Sequence, residues 1–390
     1  MSANGRYVVF TSGAARLVAG DTNRSTDVFV RDRKTDVTRR VSVTTGGSQA
    51  NNDSFQPTIS ADGRYVAFAS EARNLVAHDS NGTADVFVRD RVDNVTRRVS
   101  VAADGQGDSN GTSLNPAISA DGRYVAFESW AKNLVSGELD NNSRWDVFVR
   151  DRVDKVTSRV SRSMSDDTKA NGGSYQPAIS AHGRYVAFQS FASNLVNDDT
   201  NGQSDVFVRD RDTQETSRVS VSSDGAEGTG ASIEPDISAD GQRVVFRSAA
   251  ENLVTGDNNA EPDVFLRDRA TDTTTLVSAG RGDDGIPPTC CSGQPAISSD
   301  GNQVAFYSNL TNLIAGDTNG EIDVFVRDLV DMTTRRVSVA NGGGQANDYS
   351  FQPAISAHGR YVSFTSAASN LIARDTNGDR DVFVRDRGTG

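Results

Sequence analysis

The sequence predicts an all-β chain folded as a seven-bladed β-propeller, with four-stranded antiparallel blades and an incomplete blade at either end. Three observations carry that expectation. A polar block fused to an apolar run, in its fullest form Asp375-Thr376-Asn377-Gly378-Asp379-Arg380-Asp381 leading into Val382-Phe383-Val384, recurs with its last Asp at Asp27, Asp85, Asp146, Asp205, Asp263, Asp323 and Asp381, at intervals of 58 to 61 residues. A fixed period of that length marks a repeat architecture. Each repeat holds four short runs of β-branched and aromatic residues without a helical period, and its middle runs are apolar at nearly every position, as in sheets covered on both faces.

Within a repeat the elements follow in order. The first strand is expected to begin at a proline, at Pro57, Pro116, Pro177, Pro235, Pro295 and Pro353, because a proline at the first strand residue gives up no needed donor. A turn such as Ala120-Asp121-Gly122-Arg123 follows, its glycine supplying the positive φ of a tight hairpin. The second strand, Tyr124-Val125-Ala126-Phe127, leads into a long loop with a recurring Asn-Leu pair, as at Asn74 and Asn194. Asp-Val-Phe-Val is the third strand, and a run such as Arg98-Val99-Ser100-Val101 the fourth. Repeats fall at about 1–54, 55–113, 114–174, 175–233, 234–293, 294–351 and 352–390, all in one domain.

In the Ser-Ala-Asp-Gly turn, the Asp-Val-Phe-Val-Arg-Asp strand and the Thr-x-Arg-Val-Ser-Val run, the chain resembles the TolB-type, WD40-like (PD40) propeller repeat over essentially its whole length. Ile and Ala stand where that family has Trp and Pro, and each unit is longer. The resemblance implies the fold and an exported bacterial protein, extracellular or periplasmic, and says little about activity. The chain opens inside a turn and stops after the third strand of its seventh repeat, as expected of a segment trimmed from a longer parent.

A net charge of -12 makes nucleic acid and anionic membranes poor partners. No apolar run is long enough to insert in a membrane, and a monomer is expected. Lysine occurs only at Lys34, Lys132, Lys155 and Lys169, which leaves little scope for lysine chemistry. Cys290 and Cys291 are adjacent, so no long-range disulfide framework exists; a vicinal disulfide and two thiols both remain open.

Three groups of candidate site residues emerge. The first is the polar loop, with Asp, Asn and Asp at positions one, three and seven: Asp21/Asn23/Asp27, Asp79/Asn81/Asp85, Asp140/Asn142/Asp146, Asp199/Asn201/Asp205, Asp257/Asn259/Asp263, Asp317/Asn319/Asp323 and Asp375/Asn377/Asp381. Converging oxygens on one loop suit calcium; the same residues also suit hydrogen-bonded turns. The second is a polar ring formed by the residues before the prolines, Gln56, Asn115, Gln176, Glu234, Gln294 and Gln352, with Asp236 as an added acid. These side chains either bind backbone between blades or form a cation or sugar-hydroxyl site at a channel mouth. The third is Trp130 and Phe191, which replace small or polar residues at one loop position in adjacent repeats and offer surfaces for sugar rings or a protein partner.

For catalysis the inventory is thin: no nucleophile motif, metalloprotease motif or phosphate loop occurs, and Glu234 with Asp236 is the one non-repeated acidic pair near the axis. The reading is a non-catalytic binding or scaffold module for carbohydrate or protein, with calcium as its candidate cofactor. A polysaccharide lyase or glycosidase, and a structural module of a larger exported protein, are the alternatives.

Overall fold

In a computed structural model, which describes residues 1–105, 107–136, 143–164, 169–257, 259, 261–280 and 291–389, the chain is a seven-bladed β-propeller without helix among the described residues. Spatial and chain order coincide in every blade. Blade two is representative: Ser54–Ile59, Tyr65–Ser70, Asp85–Asp90 and Val95–Arg98. Blades one and seven have three strands each.

By its contacts the chain divides into two compact units, Met1–Asp198 with Arg209–Ser217, and Asp199–Val208 with Arg218–Gly390. In the first, the second and third strands bury Val28, Val30, Phe68 and Phe87 in one cluster and Val86, Val88, Phe127 and Phe148 in the next. In the second, Val264, Phe306 and Phe325 form one cluster, and Val324, Val326 and Phe364 another. Blades one to three and five to seven each stack two phenylalanines across their central strands, as Phe68 and Phe87 do with ring centroids 5.9 Å apart. The polar loops lead directly into the third strands, which begin at their last aspartates.

Two strand boundaries differ from expectation. The first strand begins at Ser54, three residues before Pro57, and pairing jumps from Phe55↔Ala69 to Thr58↔Ala67. Pro57 thus lies in a bulge, where the missing donor costs no ladder bond. The fourth strand ends at Arg98 instead of continuing through Val101. Beyond it the Ser100 hydroxyl accepts the Val86 N–H at 3.0 Å and donates to Asp85 at 2.5 Å. A side chain there replaces the backbone ladder.

Successive blades are tied at the Asp-Gly turns. In the first unit Ala61 donates to the Ala120 carbonyl at 2.9 Å, and Ala120 to that of Ala181 at 3.0 Å. The Tyr65 ring covers Gly122 and is itself flanked by the guanidinium groups of Arg64 and Arg152, at 5.0 and 4.4 Å.

Candidate functional site

In blades one to four and in blade six the polar loop faces an arginine that sequence reasoning missed. In blade six, Asn319 Nδ2 donates to Asp323 Oδ2 at 2.8 Å and to the Ala346 carbonyl at 3.1 Å, while Asn319 Oδ1 accepts the Glu321 N–H. The Ser338 hydroxyl donates to Asp323 Oδ1 at 2.5 Å. Arg336, the last residue of the fourth strand, places Nη1 3.1 Å from Asp317 and 2.9 Å from Asp323. Its side chain is only 7% exposed.

The same pattern recurs. Arg40 lies 3.4 Å from both Asp21 and Asp27. Arg98 joins Asp79, Asp85 and Asp108, at 3.5, 3.7 and 2.5 Å. In blade three Arg159 approaches Asp146 to 3.8 Å; Asp140 and Asn142 lie outside the described residues. In blade four Asp199, Asp205 and Glu227 bring their oxygens within 4.8 Å of one another, a spacing suited to a metal. Arg218 already sits among them, 3.7 Å from each aspartate and bonded to Glu227. For the calcium expectation the consequence is direct: in these blades the cation facing the carboxylates is a guanidinium.

The described asparagines of these loops take the second of the two roles the sequence left open to them, that of turn-formers. Asn23 Nδ2 donates to Asp27 Oδ2 at 2.9 Å and to the Ala50 carbonyl at 3.0 Å, and its Oδ1 accepts the Ser25 N–H at 3.2 Å. Asn81 donates to Asp85 at 2.7 Å and to the Ser109 carbonyl at 3.1 Å, and accepts the Thr83 N–H at 3.0 Å. Asn201 donates to Asp205 and to the Gly228 carbonyl, both at 2.9 Å, and accepts the Gln203 N–H at 2.7 Å. A ligating asparagine would offer its carbonyl oxygen to the metal. Here that oxygen closes the turn two residues on, and the amide nitrogen is turned toward the second aspartate as a donor.

Compensation by the arginines is partial. Burial first, then the Asp85 carboxylate, push Asp79 up to about 6 against the pull of Arg98. Burial and Asp205 likewise push Asp199 to about 6. In blade seven Asn377 donates to Asp381 at 2.8 Å and accepts the Asp379 N–H at 3.0 Å. In blade five Asn259 donates to Asp263 at 3.0 Å, and the fourth strand ends in Leu276.

All six residues before the prolines have left-handed backbone: Gln56, Asn115, Gln176, Glu234, Gln294 and Gln352, with φ of 53, 48, 49, 55, 46 and 52°. Such a conformation costs a non-glycine residue about 1 kcal/mol or more. In four of them the backbone amide meets a side chain of the preceding blade. In the first unit Asn115 N–H donates to Gln56 Oε1 at 3.0 Å, and Gln176 N–H to Glu128 Oε2 at 2.7 Å. In the second, Gln294 N–H donates to Glu234 Oε2 at 2.9 Å, and Gln352 N–H to Gln294 Oε1 at 3.0 Å. Asp236 accepts the Ile297 and Ile237 amides, each at 2.9 Å, and desolvation raises it to about 6 despite those bonds. Of the cysteine pair, Cys290 lies outside the described residues.

The aromatic candidates belong to a larger group. Trp130 meets Trp145 edge to face at 6.0 Å, Trp145 meets Tyr175 at 6.4 Å, and Tyr175 meets Phe191 edge to face at 6.4 Å. Trp130 is 42% and Phe191 58% exposed. The glycines of the return loops permit this approach, since a Cβ on Gly172 would lie 2.4 Å from the Phe191 backbone and one on Gly173 2.3 Å from the Tyr175 hydroxyl. Beside them lies Glu128, 5% exposed and raised by burial, with Asn115 and the Gln176 amide bonding to it. Asn115, Gln176, Trp130 and Phe191 thus converge through Tyr175 and Glu128. The signal for the missed members was Trp145: the chain has only two tryptophans, and both are in this shelf.

No family model matches the chain, and no curated protein matches it in sequence. Solved structures do. An oligogalacturonate lyase in complex with manganese is 13% identical with a TM-score of 0.56, over 99% of this chain and 87% of that one. The β-propeller domain of the Trilobed protease from Pyrococcus furiosus is 10% identical with a TM-score of 0.55, over 98% and 92%. TolB from Acinetobacter baumannii is 14% identical with a TM-score of 0.44, over 94% and 78%, too loose to carry an argument. The likeness is one of fold.

Proposed function

We propose that the chain is a non-catalytic, exported bacterial propeller, acting as a monomeric binding module whose ligand is a carbohydrate seated on the Trp130, Trp145, Tyr175 and Phe191 shelf. The observation that carries the reading is the exposure of Trp130 and Phe191, 42% and 58%, on rings braced by aromatic neighbours. Preordered ring faces beside polar groups stack on the C–H faces of sugars at little entropic cost. The net charge of -12 favours neutral over polyanionic glycans. Calcium enters this reading as a stiffener only where no arginine faces the carboxylates.

A glycan array with the wild type and a Trp130→Ala/Phe191→Ala double variant tests it. Wild-type binding to neutral glycans is expected, with at least a tenfold loss in the variant and an unchanged melting temperature. Binding to a protein alone would redirect the reading to a protein ligand. Release of unsaturated or reducing sugar would replace it with a polysaccharide-acting enzyme, and Glu128 would then be the first acid to substitute.

A further inference from the structure

Blade five keeps the carboxylates of the polar loop, and among the described residues no cation is paired with them. Leu276 pairs with Phe265 as Arg98 pairs with Phe87 and Arg336 with Phe325, so it holds the arginine's place in the register. Asp263 is fully buried; its Oδ1 accepts the Ser278 hydroxyl at 2.6 Å and its Oδ2 the Asn259 amide at 3.0 Å. Asp257 is 7% exposed, and its Oδ1 is buried without a hydrogen-bond partner. Among the described residues no arginine, lysine or histidine forms an ion pair with either aspartate.

An unpaired buried carboxylate is costly, and two side by side more so. Neutral donors to Asp263 do not remove the charge of Asp257, and its carboxyl is held up at about 6 by burial, Asp263 and Glu251 against the Asn259 amide. Blade four shows what this framework looks like when filled: its acidic oxygens lie at metal-binding distances from one another around Arg218. With leucine in the guanidinium's place the two carboxylates are left to face a hard divalent cation, for which oxygen donors are suited.

We propose that Asp257 and Asp263, with Leu276 in the register position that arginine holds in other blades, bind a single calcium-class divalent cation. The remaining coordination is completed by water. The cation takes the place of the missing guanidinium and locks this blade's polar loop. The site is independent of the aromatic shelf, so either proposal can fail without the other.

Calcium titration by calorimetry, paired with thermal melts in calcium and in chelator, tests the site, with manganese as a second probe. The wild type should take up one equivalent, and its melting temperature should rise with calcium, as for any ligand of the folded state alone. Leu276→Arg should bind at least tenfold more weakly and melt alike with and without chelator. Asp257→Asn should behave similarly and carries the test should Leu276→Arg fail to fold. A wild type that binds neither ion, or variants that bind as the wild type does, would overturn the proposal.

Discussion

Gly122 lies beneath the ring of Tyr65: a methyl group there would sit 2.2 Å from Tyr65 Cδ2, on a backbone at φ +72°. Gly105 has the same φ of +72° with nothing within 4 Å of its added Cβ. Gly105→Ala should therefore cost about 1 kcal/mol, the left-handed penalty alone. Gly122→Ala should cost about 3 kcal/mol, because overpacking adds to it. Urea denaturation of the two variants measures the difference, and equal losses would show that the ring moves aside freely.

Arg336 is the best-placed of the loop arginines. Its replacement by leucine leaves Asp317 and Asp323 buried and uncompensated, a loss of about 3–5 kcal/mol. Calcium should recover part of that stability, since the variant reproduces the donor arrangement of blade five. Equilibrium unfolding with and without calcium reads both effects.

Glu234→Gln should be silent. The glutamate's structural task is to accept the Gln294 amide at 2.9 Å, and Gln294 performs the same task for Gln352 at 3.0 Å with a neutral oxygen. The expected change in stability is within about 0.5 kcal/mol. A loss of ligand binding in this variant would instead make the Glu234 charge functional.

Stability should fall on both sides of about pH 4 to 5. Hydrogen bonds from Arg184 hold Asp210 down at about 2, so its contribution, present above its ordinary 3.8, is lost as pH falls toward 2. Asp79 and Asp199 are raised to about 6, so protonation favours the fold, and that contribution is lost as pH rises through 6. Asp210→Asn should flatten the acid limb and Asp79→Asn the neutral one, in urea midpoints taken across the range. A wild type whose midpoint climbs steadily to pH 7 would contradict the neutral limb.

The period of Asp27, Asp85 and their successors made the blades legible, because a strand buried on both faces must be apolar at consecutive positions. The bulge at Pro57 was not legible: proline's cost can be avoided either at a strand's start or inside a bulge, and both satisfy the same sequence. The loop aspartates were visible but their arginines were not, because Arg40 and Arg336 lie a strand away in sequence and nothing in the loop spacing points to them. Asn23, Asn81 and Asn201 were visible too, yet an asparagine spaced for a metal is spaced equally well to close a turn, and only the direction of its amide decides. Trp145 and Tyr175 escaped because each belongs to a different blade position and only packing brings them to Trp130 and Phe191. Glu128 escaped because the neighbouring blade's Gln176 amide is what holds it.

The turn-to-turn amide links through Ala61, Ala120 and Ala181 run only from one blade to the next. A lesion in one blade therefore weakens its immediate neighbours and spares those farther along. Under limited protease the first unit should release pieces about one repeat long, with cuts in the long loops, instead of dissolving at once.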